Sequence, residues 1–183
     1  MMPLLNSLAT PYAEALLQVT EARGESETVA EQCKQLLVIW QSSKEFREAM
    51  MSPVLEPEAK KKALKTLVGD QVTPSVLNLL KVLADRQRLQ AFDAVMQRFL
   101  ELYREQQGIT LAHVRSAKEL SDAQQAALAG KVQAMAGTGK VDIDLSVDPS
   151  LIGGFVVSLG SQVIDASLAG QVRRLGLALA KAS

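Results

Sequence analysis

A chain of 183 residues with 48% hydrophobic content can bury the core of one ordinary domain or of two small ones. Its 20 basic side chains balance 20 acidic ones and only 4% of residues are aromatic, which excludes both the charge signature of a nucleic-acid binder and a base-stacking platform. The lone cysteine, Cys33, excludes an internal disulfide and points to a packing role in a reducing compartment.

The opening "MMPLLNSLATPYAEALL" has no basic leader and reaches Glu14 before an apolar run could span a bilayer, so a cytosolic-side protein is expected. From Tyr12 to about Gln107 apolar residues recur at helical spacing, interrupted by turn signals. A first helix is expected from Pro11, with Thr10 as N-cap, through Tyr12, Ala13, Leu16 and Leu17 to Gly24. A second starts near Glu25 with Val29, Gln32, Leu36 and Trp40 on one stripe, and a short third covers Lys44 to Met51. Glu56-Pro57 opens a fourth that turns Ala63, Leu64, Leu67 and Val68 inward and stops at Gly69. Thr73-Pro74 opens a fifth, on which Val76, Leu79, Leu80 and Leu83 make a face wider than one neighbour needs. The sixth runs from Leu89 to Gln107, where Gly108 ends it.

Beyond Gly108 the period changes. "ITLAHVRSA" reads as a strand and "SDAQQAALAGKVQAMAG" as a helix with a Ser121/Gln124 capping box. "VDIDLSVD" alternates Val141, Ile143, Leu145 and Val147 with Asp142, Asp144, Ser146 and Asp148, a half-buried strand with an acidic outer face. "FVVSL" and "QVID" flank Gly160-Ser161 as a hairpin, and Ser167 caps a last helix with Leu168, Val172, Leu175 and Leu179 on one face. The fold expected is mainly α with a small α/β part: a six-helix bundle over residues 1–107 and an α/β domain with a β-hairpin over 108–183.

Chemistry finds little to build on. Gly153-Gly154 and Gly160 lack the spacing of a dinucleotide loop, and "AGTGKV" leaves a helix for a strand, with Ala134 and Val141 where a phosphate loop needs Gly and Ser or Thr; it reads as a flexible connection. The single histidine, His113, has no second histidine or cysteine with which to hold a metal, and sits on a strand beside Leu111 and Arg115. No G-x-S-x-G elbow occurs, and Asp142 with Asp144 read as solubilising charge. Lys60, Lys61, Lys62 and Lys65, like Arg173 and Arg174, read as solvated helix faces. No enzyme, cofactor, metal or nucleic acid is expected.

The string "DPSLIGGFVVSLGSQVIDASLAGQVRRL", following a helical bundle and a glycine stop, resembles the delta subunit of F-type ATP synthases, the counterpart of the mitochondrial oligomycin-sensitivity-conferring protein. The resemblance spans the chain and is most specific at Asp148, Gly153, Gly154, Gly160, Asp165 and Ser167, with echoes in "YAEALL", "SPVLEPEAKKKAL", "LLKVLADRQRL" and "VRSAKELS". It implies a non-catalytic stator subunit, one copy per complex, whose helical domain grips N-terminal segments of the alpha subunits and whose C-terminal domain holds the peripheral b-type stalk. Tyr12, Ala13, Leu16, Leu77 and Leu80 then either line a groove for a partner helix or fill the bundle core. By the same analogy the acidic-sided strand and Arg173-Arg174 lie near the stalk contact. The overall look is similar to cyanobacterial and plastid versions, which implies the cytoplasmic side of a thylakoid membrane, reached only through the complex. A helical adaptor or chaperone unconnected with ATP synthesis is the alternative.

Overall fold

The computed structural model describes residues 2–136 and 140–181, with side chains described for 7–121, 123–134 and 140–175. The chain divides into two compact units, Met1–Tyr103 and Arg104–Ser183, a division four residues before the Gln107/Gly108 boundary read from the glycine.

The first unit is helical. α1 (Met2–Arg23) starts well before Pro11 and carries that proline in its interior, where a start at Pro11 was expected. Thr10-Pro11 has the chemistry of a helix start, but Ala9, Ala13, Leu16 and Thr20 are all buried at helical spacing. Packing of that stripe outweighs the hydrogen bond that proline removes. Gly24, at φ +67°, then turns the chain into α2 (Ser26–Ser42), which buries Val29, Ala30, Cys33, Leu36 and Trp40. α3 (Lys44–Met51) is capped by Ser43, whose side chain accepts from the Phe46 amide.

α4 (Pro57–Val68) buries Lys60, Leu64 and Val68 at a four-residue interval, while Leu67 is 55% exposed. The inward face is therefore rotated from the expected one: the Lys60 stem packs inward and Leu67 faces solvent. The lysine run is not purely solvated, since Lys61 pairs with Glu58 at 2.6 Å and with Asp85 at 2.8 Å. α5 (Pro74–Asp85) has its proline in the first turn as expected, but the Thr73 hydroxyl makes no capping bond and is buried without a partner. The Thr73 amide instead donates to Gln32 Oε1 at 2.9 Å. A 3-10 turn (Leu89–Ala91) precedes α6 (Phe92–Gln107), so the regular helix begins three residues after Leu89. Trp40 stacks on Phe92 with ring centroids 4.5 Å apart, near the middle of a core that draws on every helix of the unit.

The second unit holds a four-stranded sheet in the order β2-β1-β3-β4, built from β1 (Thr110–Ser116), β2 (Val141–Val147), β3 (Phe155–Leu159) and β4 (Gln162–Asp165). β1 and β2 are parallel, joined through α7 (Asp122–Ala136); β1–β3 and β3–β4 are antiparallel. The "GTG" of the connection expected to be flexible lies outside the described residues. The Ser121/Gln124 box forms, with the Ser121 amide donating to Gln124 Oε1 at 3.0 Å. Ala112, Val114, Val157 and Leu159 meet Leu128 and Val132 in a small core. Leu145 and Val147 are 37% and 49% exposed, where half burial was expected. β2 is an edge strand with one neighbour, and it packs only Val141 and Ile143 against that core. The closing helix is α8 (Leu168–Lys181).

Candidate functional site

The glycine-rich stretch builds a joint. Asp148 Oδ1 accepts from the Ser150 amide at 3.1 Å and hydroxyl at 2.6 Å, closing the turn that leads to Gly153-Gly154. Gly154 sits at φ +78°, and a Cβ there would lie 2.3 Å from the carbonyl oxygen of Ala166. Only glycine suits both the backbone angle and the close approach of the chain entering α8. The Gly153 carbonyl accepts from the Leu168 amide at 2.9 Å, and Gly160, at φ +54°, makes the hairpin turn.

Asp165 and Ser167 then start α8. Asp165 Oδ1 accepts from the Ser167 amide at 2.9 Å and hydroxyl at 2.5 Å, and Ser167 Oγ accepts from the Gly170 amide at 2.9 Å. The Ser167 hydroxyl and amide bonds, followed by Arg174 and Arg173, hold the Asp165 carboxyl below the ordinary carboxylate range. These six residues hold backbone. Among the described residues no group of acidic, cysteine and histidine side chains could hold a metal.

The carboxylates of β2 and the turn after it, expected as solubilising charge, each have a partner side chain. Arg104 Nε donates to Asp142 at 2.7 Å, His113 Nδ1 lies 3.0 Å from Asp144, and Arg115 reaches Asp148 at 3.2 Å. His113 and Asp144 are register partners, so the parallel pairing itself brings them together.

The first unit carries an open groove of about 740 Å³ between α1 and α5. On α1 it is lined by Tyr12, Ala15, Val19 and Arg23, and on α5 and the residue after it by Ser75, Leu79, Val82 and Arg86. Each set follows the three- and four-residue steps of one helix face, displaced sideways from the stripe that faces the core. The helices run antiparallel: Arg23 Nη1 donates to Ser75 Oγ at 3.1 Å at one end, and Arg88 Nη1 donates to the Tyr12 hydroxyl at 2.8 Å at the other. Ser75 in turn donates to Glu25 at 2.5 Å. Leu16 and Leu79 form a floor at 4% and 9% exposure, while Val19 and Val82 remain 43% and 44% exposed on the walls.

Of the residues singled out in the sequence, Tyr12 and Leu16 line this groove. Ala13 and Leu80 are fully buried in the core, and Leu77 is half-buried outside the lining. Of the two roles open to these residues, Ala13 and Leu80 take the core position. The walls lie one helical step to the side, and their signal was the recurrence 12-15-19-23 and 75-79-82-86, each closing on an arginine.

The second unit leaves a helix face open. Leu168, Val172 and Leu175 of α8 are 49%, 68% and 65% exposed, at a spacing that places them on one side. Arg173 and Arg174 are exposed beside them, and the side chain of Leu179, the fourth residue expected on that face, lies outside those described.

Residues 8–179 match the family model of the ATP synthase delta (OSCP) subunit. The chain is 86% identical over 182 residues to an ATP synthase subunit delta of Synechococcus sp. (strain CC9902), covering 100% of both chains. It is 66% identical over 180 residues to the organellar-chromatophore ATP synthase subunit delta of Paulinella chromatophora, covering 98% of this chain and 99% of that one. A chain in the mitochondrial ATP synthase hexamer of Toxoplasma gondii shares the fold with a TM-score of 0.70 at 24% identity, over 94% of this chain and 97% of its own length.

Proposed function

The chain belongs to the ATP synthase delta (OSCP) subunit family and is a non-catalytic stator component of ATP synthase, and we propose that its two open surfaces are the two ends of a mechanical link. The α1/α5 groove takes an N-terminal segment of an alpha subunit, and the exposed face of α8 takes the end of the peripheral b-type stalk. In this reading residues 1–107 act as one six-helix bundle and residues 108–183 as the stalk-holding domain, with one copy in each complex.

The observation that carries the reading is that each unit leaves an apolar helix surface uncovered among its described residues, on α1/α5 in the first and on α8 in the second. A subunit that must hold two partners needs two such surfaces and no chemistry between them. An amphipathic helix laid in the groove would cover Val19 and Val82 and meet the floor at Leu16 and Leu79. Torque from a turning rotor does work on the catalytic sites only if the head is held still, so loss of either surface uncouples rotation from synthesis. Among the described residues no helix is long and apolar enough to cross a membrane. The chain reaches the cytoplasmic face of its energy-transducing membrane, in this reading a thylakoid, through the rest of the complex.

The test uses full-length tagged chain in a pull-down from solubilised membranes, read by mass spectrometry. Val19→Ser with Val82→Ser loses alpha and beta subunits and keeps the stalk, whereas Val172→Ser with Leu175→Ser does the reverse. Retention of both partners by both variants refutes the assignment.

A further inference from the structure

We infer that the α1/α5 groove selects an acidic amphipathic helix, held at both ends by arginine and carrying carboxylates about eleven residues apart at the edge of its apolar face. The inference rests on the groove being the head-binding surface and adds what the bound segment must look like.

The groove is mainly apolar along its length, with Asn78 on its α5 side, and basic at its ends. Arg23, Arg86 and Arg88 all line it and are exposed, and no acidic side chain lines it. Among the described residues none of these three guanidinium groups is paired with a carboxylate. Arg23 donates to the neutral hydroxyl of Ser75, and Arg88 donates to that of Tyr12 with its guanidinium carbon 5.9 Å from the ring centroid. Nearby acids are engaged with other groups: Glu25 accepts from Ser75, and Asp85 takes the Lys61 ammonium. Three cations with no direct carboxylate partner, around an apolar surface that a bound helix would dry, set the sign of the ligand.

Geometry sets the spacing. Because α1 and α5 are antiparallel, Arg23 stands at one end of the groove, with Arg88 at the other, beside Tyr12. Tyr12 and Arg23 are eleven residues apart on one helix, a rise of roughly 16 Å. A helix lying along the groove spans the same distance with the same number of residues. Eleven residues also make about three turns, so both carboxylates return to one side. Apolar residues about four and seven positions after the first carboxylate then sit over Leu16 and Leu79, between Val19 and Val82. Arg86 follows the C-terminal end of α5, as Arg88 does, so the more acidic end of the occupant lies there.

Three fluorescein-labelled synthetic helices of about 20 residues test this, all with leucine at the two apolar positions. One carries glutamate at the eleven-residue spacing, one carries glutamate seven apart, and one carries glutamine in place of glutamate. Each is titrated with the full chain by anisotropy. At about 50 mM salt the eleven-spaced peptide is expected to bind about tenfold more tightly than the glutamine peptide, an advantage that disappears near 500 mM. The variant Arg23→Gln/Arg86→Gln/Arg88→Gln removes the same advantage; the peptide and salt comparisons on the unmodified chain do not depend on that variant folding. Equal binding of the glutamate and glutamine peptides, both weakened by Val19→Ser/Val82→Ser, overturns the arginine clamp and leaves the groove assignment standing. Equal binding of the seven- and eleven-spaced peptides overturns the two-ended clamp. If Val19→Ser/Val82→Ser weakens no peptide, the groove is not the site and both conclusions fall.

Discussion

Replacing Val19 and Val82 together by serine isolates the groove from the fold that carries it. Aspartate is the poorer probe, because Arg23 and Arg86 stand four residues after these valines and would pair with the new carboxylates. Serine and valine have similar helix propensities, and the share of each valine already covered in the free chain is worth about 1 kcal/mol, so the pair should lower the unfolding free energy by about 2 kcal/mol and leave a cooperative melt. Binding is another matter. Burying a whole valine is worth about 1.5–3 kcal/mol, so covering the exposed share of each is worth about 1 kcal/mol. A serine hydroxyl left without a partner at a dry contact adds about 1 kcal/mol more per site. The sum of about 4 kcal/mol raises Kd for an alpha-subunit N-terminal peptide by roughly three orders of magnitude. Isothermal titration with a parallel thermal melt measures both quantities. Leu80→Ala is the contrasting control: Leu80 is fully buried, so its loss should cost about 2–5 kcal/mol of stability. A Kd changed less than threefold by the double serine variant, with the melt intact, would refute the groove as the docking surface.

Four further outcomes follow from the geometry. Gly154→Ala meets both a positive φ and the Ala166 carbonyl 2.3 Å from the new Cβ, and should destabilise the chain by about 2–4 kcal/mol in denaturant melts. Because the folded pKa of Asp165 is depressed, its stabilisation is complete above the unfolded carboxylate range near pH ~4 and lost as pH falls through the lower folded value. The Tm advantage of the unmodified chain over Asp165→Asn should therefore shrink as acid is added below about pH 4. Burial pushes the Cys33 thiol up to about 12, so a disulfide reagent at pH ~8 should label it only after denaturation. Residues 1–107 expressed alone should melt cooperatively with a helical circular dichroism spectrum, since their core is built from the helices of the first unit.

Elements were legible in the sequence where local chemistry and packing agree. The Ser121/Gln124 box, the Pro74 helix start, the Gly160 hairpin and the Asp165-Ser167 cap all lie where local rules place them. Pro11 and Leu67 were not legible, because in each case a stripe one step away buries more. Ala9 continues the buried line of α1 through the proline, and the long stem of Lys60 takes an inward position that a charge-based reading gives to solvent. The glycine pair yielded its role only when Gly154 was seen against the Ala166 carbonyl, a contact across twelve residues of chain that no local rule contains.

Functional surfaces are harder to read for a related reason. Hydrophobic periodicity reports that a helix side leaves water and is silent about what covers it. Ala13 and Leu80 have the same apolar signature as Val19 and Val82, yet the first pair is sealed within the chain and the second pair is left open. On α8 the pattern Leu168, Val172 and Leu175 describes an amphipathic helix whose described large apolar residues are exposed. For a stator subunit this ambiguity has a mechanical origin. Surfaces that must carry torque need the dry, close-packed contact of a protein interior, so selection for holding a partner and selection for packing a core produce the same residue types. What separates them is charge. Arginine recurs at the ends of the open groove walls, where a core stripe places leucine or alanine, and its position sets the proposed docking surface apart from the core.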